Sequence, residues 1–489
     1  MSGYVSVAFT AVKRDELNTL LEGEPDGPPA SEPSPKIGRQ RYDLATALSI
    51  VRKVETSPRR GAVYGEVKAK NTIYAFVDGL YESADKRFLQ PLALFVYMLK
   101  CVLSVGPLGA RKAEAVTLSN FPNEEKTIGR IAALIPDVAL MRLSVSRSHL
   151  CNPRHWMGAL RLIAAIGRIW PFLQTLARQH SFMPAARIAS ALAFYMRFTQ
   201  LLADRPQLRA AIITSNYSPE AVGLAAAAHN KGRRVVYANH APVSANGAVV
   251  PPVYADCGMF YGTRTTSAYE ALSACTAEVA LIGQPGTSRA MEWRCQIETI
   301  GIFLTSGTRV DVLSSLVATI RLSLPEARII IRQHPVALLK TDFSELEIVD
   351  DKVELTYGNP LDDEIAACDM VICGNSGVAM NALSGGRPVA YLASLDSLHY
   401  DGNGFVASRL VYAMPWWSDD IYDRLKSFYQ IDGWKEVMRS YDASYEGDRE
   451  ALHVQARAIL LRHVRPAERD IAPVEKEAAP RSAVRRSAA

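Results

Sequence analysis

The feature that most constrains this chain is a unit repeated through its second half: a short apolar run, a turn of small residues, then a helix-length stretch. Ile300–Leu304 runs into the turn Thr305-Ser306-Gly307-Thr308 and a helical pattern over Val310–Leu322. Ala327–Ile331 follows and leads into Arg332-Gln333-His334-Pro335. Leu361–Cys368 reads as a helix and Met370–Cys373 as a strand ending in Gly374-Asn375-Ser376-Gly377. Val378–Ser384 is then a helix closed by Gly385-Gly386, and Pro388–Leu392 a last strand. Strands this short and apolar on both faces need cover on both sides, which a parallel sheet between helical layers supplies.

The first half repeats the grammar less cleanly. Ala115–Ser119, Val138–Leu143, Ala211–Thr214 and Arg233–Ala238 read as strands, the last ending at Asn239-His240. Ser218-Pro219-Glu220 starts a helix, with Ser as N-cap and Pro at the first helical position, and Gly232 ends it. Thr72–Val77 (TIYAFV) reads as a strand closed by Asp78-Gly79, and Trp156–Asp204 as two long helices broken near Phe182-Met183-Pro184. Two parallel sheets in one chain give an α/β protein of two Rossmann-like domains with a cleft between them. The expected organisation is a segment and disordered linker over 1–36, a first domain over 37–285 with a helical insertion, a second over 286–430, helices over 431–464 and a floppy tail over 465–489. The linker follows from EGEPDGPPASEPSPK at Glu22–Lys36, which has almost nothing to bury.

Composition excludes several classes. At 489 residues, 48% hydrophobic and 21% charged, the chain can build more than one core. A net charge of +5 is too mild to demand nucleic acid and suits phosphate-bearing ligands or an anionic membrane surface. Seven scattered cysteines form no CxxC pair and no zinc spacing, so they read as free thiols in a reducing, cytoplasmic setting, with no metal. The N-terminal residues lack a basic segment followed by a long apolar run, so no secretory signal is expected. Phe88–Leu103 is too short to span a bilayer. Trp156–Ala177 is apolar except for a stripe through Arg161, Arg168 and Thr175, which fits a core helix kinked near Pro171 or a helix lying on a membrane. No GxGxxG follows a strand, and GxxxxGK[ST], HExxH and GxSxG are absent.

Ligands of open parallel sheets bind beyond the carboxyl ends of the strands. That rule selects Thr305, Ser306 and Gly307 in one turn and Asn375, Ser376 and Gly377 in another, each opening a helix whose first N–H groups can receive a phosphate. Such residues are also ordinary cap residues. His334 lies at the end of a third strand, held extended by Pro335, and Arg332 can add charge there.

RQHP at Arg332–Pro335 together with CGNSGVAMNALSGGRPVAYL at Cys373–Leu392 resembles the donor domain of GT-B glycosyltransferases. The likeness is to bacterial surface-polysaccharide enzymes: sialyltransferases, capsule Kdo transferases and the CDP-glycerol glycerophosphotransferases of teichoic acid synthesis. The resemblance implies that His334 and Asn375-Ser376-Gly377 bind the nucleotide of an activated donor, often a CMP-sugar. It implies a glycan or lipid-linked acceptor, peripheral contact with the inner membrane, and no metal or other cofactor. The relatives carry an acidic pair before a glycine as general base, where this chain has only Asp78 before Gly79. Where they read Gln-His-Gly, this chain reads Asn-His-Ala, which makes His240 a second candidate base. Transfer of a polyol phosphate and non-catalytic binding of a nucleotide-sugar or glycan are the alternatives.

Overall fold

A computed structural model of the chain describes residues 40–107, 112–146, 149, 156–240, 250–286, 288–305, 307–334, 351–397 and 401–465. The linker, the tail, Ser306 and Pro335 lie outside the described residues.

Four helices come first: α1 (Leu44–Glu55), α2 (Pro58–Lys70), α3 (Thr72–Ser83) and α4 (Leu89–Leu103). The run TIYAFV is therefore helical, against the strand expected from its β-branched and aromatic residues. Asn71 supplies the reason: its side chain accepts the Tyr74 N–H at 3.0 Å and caps the first turn. Ile73, Phe76, Val77 and Leu80 then recur at helical spacing on one exposed face. In α4, Leu94, Phe95, Met98 and Val102 are buried in the protein core.

The first sheet follows, interleaved with helices: β1 (Val105–Gly106), β2 (Ala115–Leu118), α5 (Pro122–Leu134), β3 (Leu140–Val145), α6 (Trp156–Ala164), α7 (Ile166–Gln179), α8 (Phe182–Ala203), β4 (Ala210–Ile213), α9 (Pro219–Asn230), β5 (Arg234–Ala238), β6 (Cys257–Phe260), α10 (Thr263–Leu272) and β7 (Glu278–Leu281). Its order is β1-β3-β2-β4-β5-β6-β7, parallel except for β1. The expected long helix over 156–177 is two, bent by 79°. The break falls at Ala165 and Pro171 sits inside α7, so the kink is not at the proline. Among the described residues no single helix is long and apolar enough to cross a membrane, although α6 and α7 together pass that test by length and composition. Helix α9 is buried from Pro219 to His229, sandwiched between sheet and α8. Gly223 permits this, because a Cβ there would stand 3.0 Å from Phe194 Cβ and 3.1 Å from the Tyr195 amide nitrogen.

The second sheet contains β8 (Thr299–Phe303), α11 (Val310–Ser323), β9 (Arg328–Arg332), β10 (Val353–Thr356), α12 (Leu361–Ala367), β11 (Met370–Cys373), α13 (Val378–Ser384), β12 (Val389–Tyr391) and β13 (Tyr412–Ala413). Its order is β10-β9-β8-β11-β12-β13, all parallel. Three helices end the described chain: α14 (Ile421–Tyr429), α15 (Gly433–Tyr441) and α16 (Arg449–Val464). The chain is thus α/β, with two Rossmann-like domains, each built on its own sheet.

The last helix returns to the first domain. Ala456, Leu460 and Val464 of α16 share a buried cluster with Ile128, Ile131, Cys257, Met259 and Ala280. The chain crosses between domains twice, at 282–284 and at 440–448, and the crossings are bonded together. Asp442 accepts the Gln284 N–H at 2.9 Å and the Ser444 hydroxyl at 2.7 Å. The Gln284 side chain reaches Met380 Sδ at 3.3 Å, and the Tyr261 carbonyl accepts the Ala443 N–H at 2.9 Å. Tyr261 and Gln284 follow β6 and β7, whereas Met380 follows β11. Residues just past β6 and β7 therefore touch the second crossing and the first turn of α13.

Candidate functional site

Both sheets reverse their strand order, and the reversal points are where an open parallel sheet leaves a crevice. In the second sheet, β9 and β10 lie on one side of β8 and β11, β12 and β13 on the other. The reversal therefore falls between the ends of β8 and β11. Phe303 is in register with Arg332 on one side and Cys373 on the other. Thr305, His334 and Asn375 each stand two residues past that level, in a row about 10 Å wide at the usual strand spacing. Three of the residues selected from sequence thus meet on one edge, with Gly307, Ser376 and Gly377 in the adjoining turns.

Sequence reasoning missed the residue that ties the turns together. Asp396, buried beyond β12, accepts the Thr305 hydroxyl and the Asn375 N–H through its two oxygens. Gly374 leaves room for it, since a Cβ there would overlap the Asp396 carboxylate. The Gly307 carbonyl accepts the Ser397 N–H at 2.8 Å, and the Leu395 carbonyl the Arg309 N–H at 2.8 Å. An acid at the end of β12, 21 residues after Asn375, was the available signal.

This lacing corrects the expected cradle of backbone amides. Helix α11 begins at Val310, with Arg309 as its N-cap, so the Thr305 turn stands short of it. The Thr305 N–H is taken by the Thr308 hydroxyl at 3.0 Å and the Gly307 N–H by the Thr305 hydroxyl at 3.2 Å. In the other turn, the Asn375 N–H goes to Asp396 and the Ser376 N–H to the Gly374 carbonyl at 2.8 Å. Side-chain groups of the second turn keep hydrogen-bonding capacity of their own. The Ser376 hydroxyl accepts the Val378 N–H at 3.3 Å and keeps its own proton to donate. Asn375 Oδ1 is buried without a hydrogen-bond partner among the described residues. A Cβ on Gly377 would meet open space.

Arg332 is corrected too. Its guanidinium pairs with the buried carboxylate of Glu364 on α12, which also accepts from Asn359 Nδ2 at 3.0 Å. That ion pair holds α12 against β9, so part of the charge expected to face a ligand is spent within the domain. His334 is half-buried, and burial lowers the pKa of its imidazole, favouring the neutral ring.

The first sheet reverses between β2 and β4. Asn120, beyond β2, donates to Glu220 Oε1 at 2.8 Å. Glu220 lies in the first turn of α9, and Arg187 of α8 stands 3.9 Å from its other oxygen. Arg187 also donates to the buried Glu55 at 3.1 Å, and Tyr64 donates to Glu55 as well. Burial alone would lower the Arg187 pKa, but Glu220 and Glu55 hold it above the usual guanidinium range. Burial together with the nearby Cys101 pushes Tyr97 up to about 12. None of this network was selected from sequence, where only the Ser-Pro-Glu helix start hinted at an acid.

The two candidate bases are placed very differently. His240 lies two residues past β5, and its Nδ1 is 2.7 Å from the Thr214 carbonyl at the end of β4. A carbonyl only accepts, so Nδ1 carries a proton, and in the neutral ring Nε2 is the nitrogen with the lone pair. Asp78 is not at a strand end, as expected, but on α3. Its Oδ2 is ion-paired with Lys68 at 2.6 Å, and its Oδ1 is buried without a partner among the described residues. Among the described residues no group of three or more His, Cys, Asp or Glu is placed to hold a metal ion.

No protein-family model and no curated protein sequence matches the chain. Solved structures are similar to it at low identity. The UDP-GlcNAc 2-epimerase of Neisseria meningitidis bound to UDP-GlcNAc is 11% identical with a TM-score of 0.43, covering 71% of this chain and 99% of its own. That of Methanocaldococcus jannaschii is 9% identical with a TM-score of 0.41, covering 71% and 99%. The calicheamicin glycosyltransferase CalG4 is 10% identical with a TM-score of 0.42, covering 72% and 99%.

Proposed function

We propose that this chain is a GT-B glycosyltransferase that moves a sugar from a nucleotide-activated donor, CMP-linked in the first instance, to a surface glycan or lipid-linked acceptor. The observation that carries the reading is the shared register of Thr305, His334 and Asn375 at the point where the second sheet reverses. The nucleotide lies along that row. Asn375 Oδ1 accepts from a ribose hydroxyl or a base N–H, which would satisfy an acceptor left without a partner. Neutral His334 and the Ser376 hydroxyl donate to the phosphate oxygens, whose negative charge grows as the glycosidic bond breaks.

The acceptor occupies the facing edge of the first sheet. His240 Nε2 takes the proton of its hydroxyl while the oxygen bonds to the anomeric carbon. The bond from that carbon to the phosphate oxygen breaks, and its electron pair leaves with the nucleotide. Asp78, engaged by Lys68 within the helical layer, has no part in this scheme.

The test separates binding from transfer. CMP, CDP, UDP and GDP are screened for thermal stabilisation, since a ligand of the native state raises its melting temperature. Ser376→Ala and His334→Ala are expected to weaken binding of the stabilising nucleotide about tenfold each, roughly 1.4 kcal/mol. His240→Gln is expected to keep nucleotide binding and lose transfer by at least about a hundredfold. Unchanged nucleotide affinity in both second-domain variants would discard the reading. Turnover of CDP-glycerol but no sugar nucleotide would replace it with polyol-phosphate transfer.

A further inference from the structure

The helical layer of the first domain holds a buried charge that the scheme above does not use. Arg197, on α8, is 4% exposed. Its Nε and Nη2 have no hydrogen-bond partner among the described residues. Burying guanidinium N–H groups without acceptors carries a desolvation cost that a hydrogen-bonding partner would offset. Burial pulls its pKa below the usual guanidinium range, with Asp204 opposing and the like charges of Arg161 and Arg205 adding to the fall.

Arg197 lines a cavity of about 70 Å³ between α6, α7 and α8. Leu162 and Ile169 form apolar walls, and Arg161 and Arg168 bring two more guanidiniums to the same space. The three lie at graded depth: Arg197 buried, Arg161 half-buried, Arg168 exposed. The 79° bend at Ala165 brings Arg161 and Arg168, on successive helices, to one cavity. Gly158 roofs it closely, since a Cβ there would stand 3.2 Å from Arg197 Cδ and 2.9 Å from Val102 Cγ1. A space lined by three guanidiniums, by apolar walls and by the neutral Tyr195, Thr199 and Gln200 repels cations and favours an anion. A tetrahedral oxyanion satisfies it, because guanidinium groups bind phosphate through paired N–H donors.

We propose that the cavity between α6, α7 and α8 is a binding site for a phosphate-type oxyanion, held by Arg197 at its floor and Arg161 and Arg168 toward its mouth. It is distinct from the nucleotide row, which belongs to the other sheet. It is also distinct from the Glu220 crevice, because Arg197 lies ten residues along α8 from Arg187, about 15 Å at the helical rise. Two sources carry this chemistry: soluble phosphate and the headgroup of an anionic lipid. The outer face of α6 bears on the second source, since Trp156, Leu160 and Ile163 recur there at helical spacing and are all exposed.

The full-length chain tests it in two arms, as wild type and as Arg197→Met, which keeps length and removes charge. In one arm melting is followed against sodium phosphate, with sodium chloride at matched ionic strength as reference. In the other, flotation compares vesicles of phosphatidylglycerol in phosphatidylcholine with phosphatidylcholine alone. The wild type is expected to bind phosphate or phosphatidylglycerol vesicles at least about tenfold better than Arg197→Met. A difference confined to phosphate assigns the soluble source, and one confined to vesicles assigns the lipid. Phosphate binding in the second domain persists in the variant, so failure here and failure of the transferase reading are told apart. A cooperatively folded Arg197→Met equal to wild type in both arms overturns the site. Should that variant not fold, Arg161→Gln replaces it, and equality with wild type overturns the proposal in the same way.

Discussion

At the scale of single residues, the second-domain site depends on Gly374 as much as on the groups that would face a nucleotide. Its φ is not positive, so the requirement is one of space: a Cβ would overlap the Asp396 carboxylate. Displacing Asp396 would release the Thr305 hydroxyl and the Asn375 N–H together and leave a buried acid with fewer donors. Gly374→Ala is therefore expected to weaken nucleotide binding about a hundredfold, by roughly 3 kcal/mol, and to lower the melting temperature as well. Gly377→Ala, facing open space, serves as the control expected to leave the melting temperature unchanged. Titration calorimetry with the nucleotide chosen by the thermal screen measures the first effect and thermal unfolding the second. The strand-end placement of the glycines, Thr305 and Asn375 was legible because small residues after an apolar run mark a strand's carboxyl end, and that of His334 because it closely follows an apolar run. Asp396 was not legible, because nothing local links it to turns some 21 and 91 residues away in the chain.

At the scale of elements, what could be read depended on how many faces each element buries. Met370–Cys373 and Val378–Ser384 were expected over the same residues the structure gives them, because the strand is buried on both faces and is bounded by glycine. The strand expected over Thr72–Val77 is a helix: Ile73, Phe76 and Val77 face outward, so hydrophobicity carried no information about their partner, and Asn71 caps the first turn. Ser218 was chosen correctly as the residue before α9, yet its side chain makes no cap bond. The Ser215 hydroxyl receives its N–H instead, at 3.0 Å. The junction of α9 with β5 and β6 rests on another unforeseen residue, Asp256. It accepts from the Val235 N–H at 2.8 Å and Arg234 at 2.9 Å and lies 3.0 Å from His229 Nε2. The Tyr42 N–H donates to His229 Nδ1 at 3.0 Å, so Nε2 bears the ring proton and donates to Asp256. Burial raises the Asp256 pKa, but His229, Val235 and Arg234 outweigh it and hold the carboxyl well below the usual range. A depressed carboxylate stabilises the fold fully above its unfolded pKa of about 3.9 and loses that contribution as pH falls through its folded value. Asp256→Ala is expected to cost about 3 to 5 kcal/mol at pH 7 in urea unfolding. The gap from wild type should narrow steadily as pH falls below about 4. A gap that stays constant down to strongly acidic pH would show that the ionised carboxylate is not what holds the junction.

At the scale of the whole molecule, the chain closes on itself, and this sets what can move. The 282–284 crossing runs against 442–444, and Gly283, with φ +61°, has no room for a Cβ beside Ser444. The second domain is thus joined to the first by two bonded strands of chain, and α16 then anchors the return by docking on the sheet of the first domain. Arg465 reinforces the docking with Glu114 and Asp137, and His463 with Glu278. Although α16 is the last described element, it is part of the first domain's core, so a lesion there should unfold the first domain and not the second. Leu460, fully buried among Ile128, Cys257 and Met259, makes the cleanest probe. Leu460→Ala is expected to cost about 3 kcal/mol through lost burial and the cavity left behind. Hydrogen exchange gives the localisation: amides of β5, β6 and β7 should lose protection together, while those of β8 and β11 keep theirs as long as the second domain stays folded. Equal loss in both sheets would mean that the two crossings couple the domains into one cooperative unit. A nucleotide bound to the second sheet would then raise the protection of β5 to β7 in the wild type, a response that independent domains cannot give.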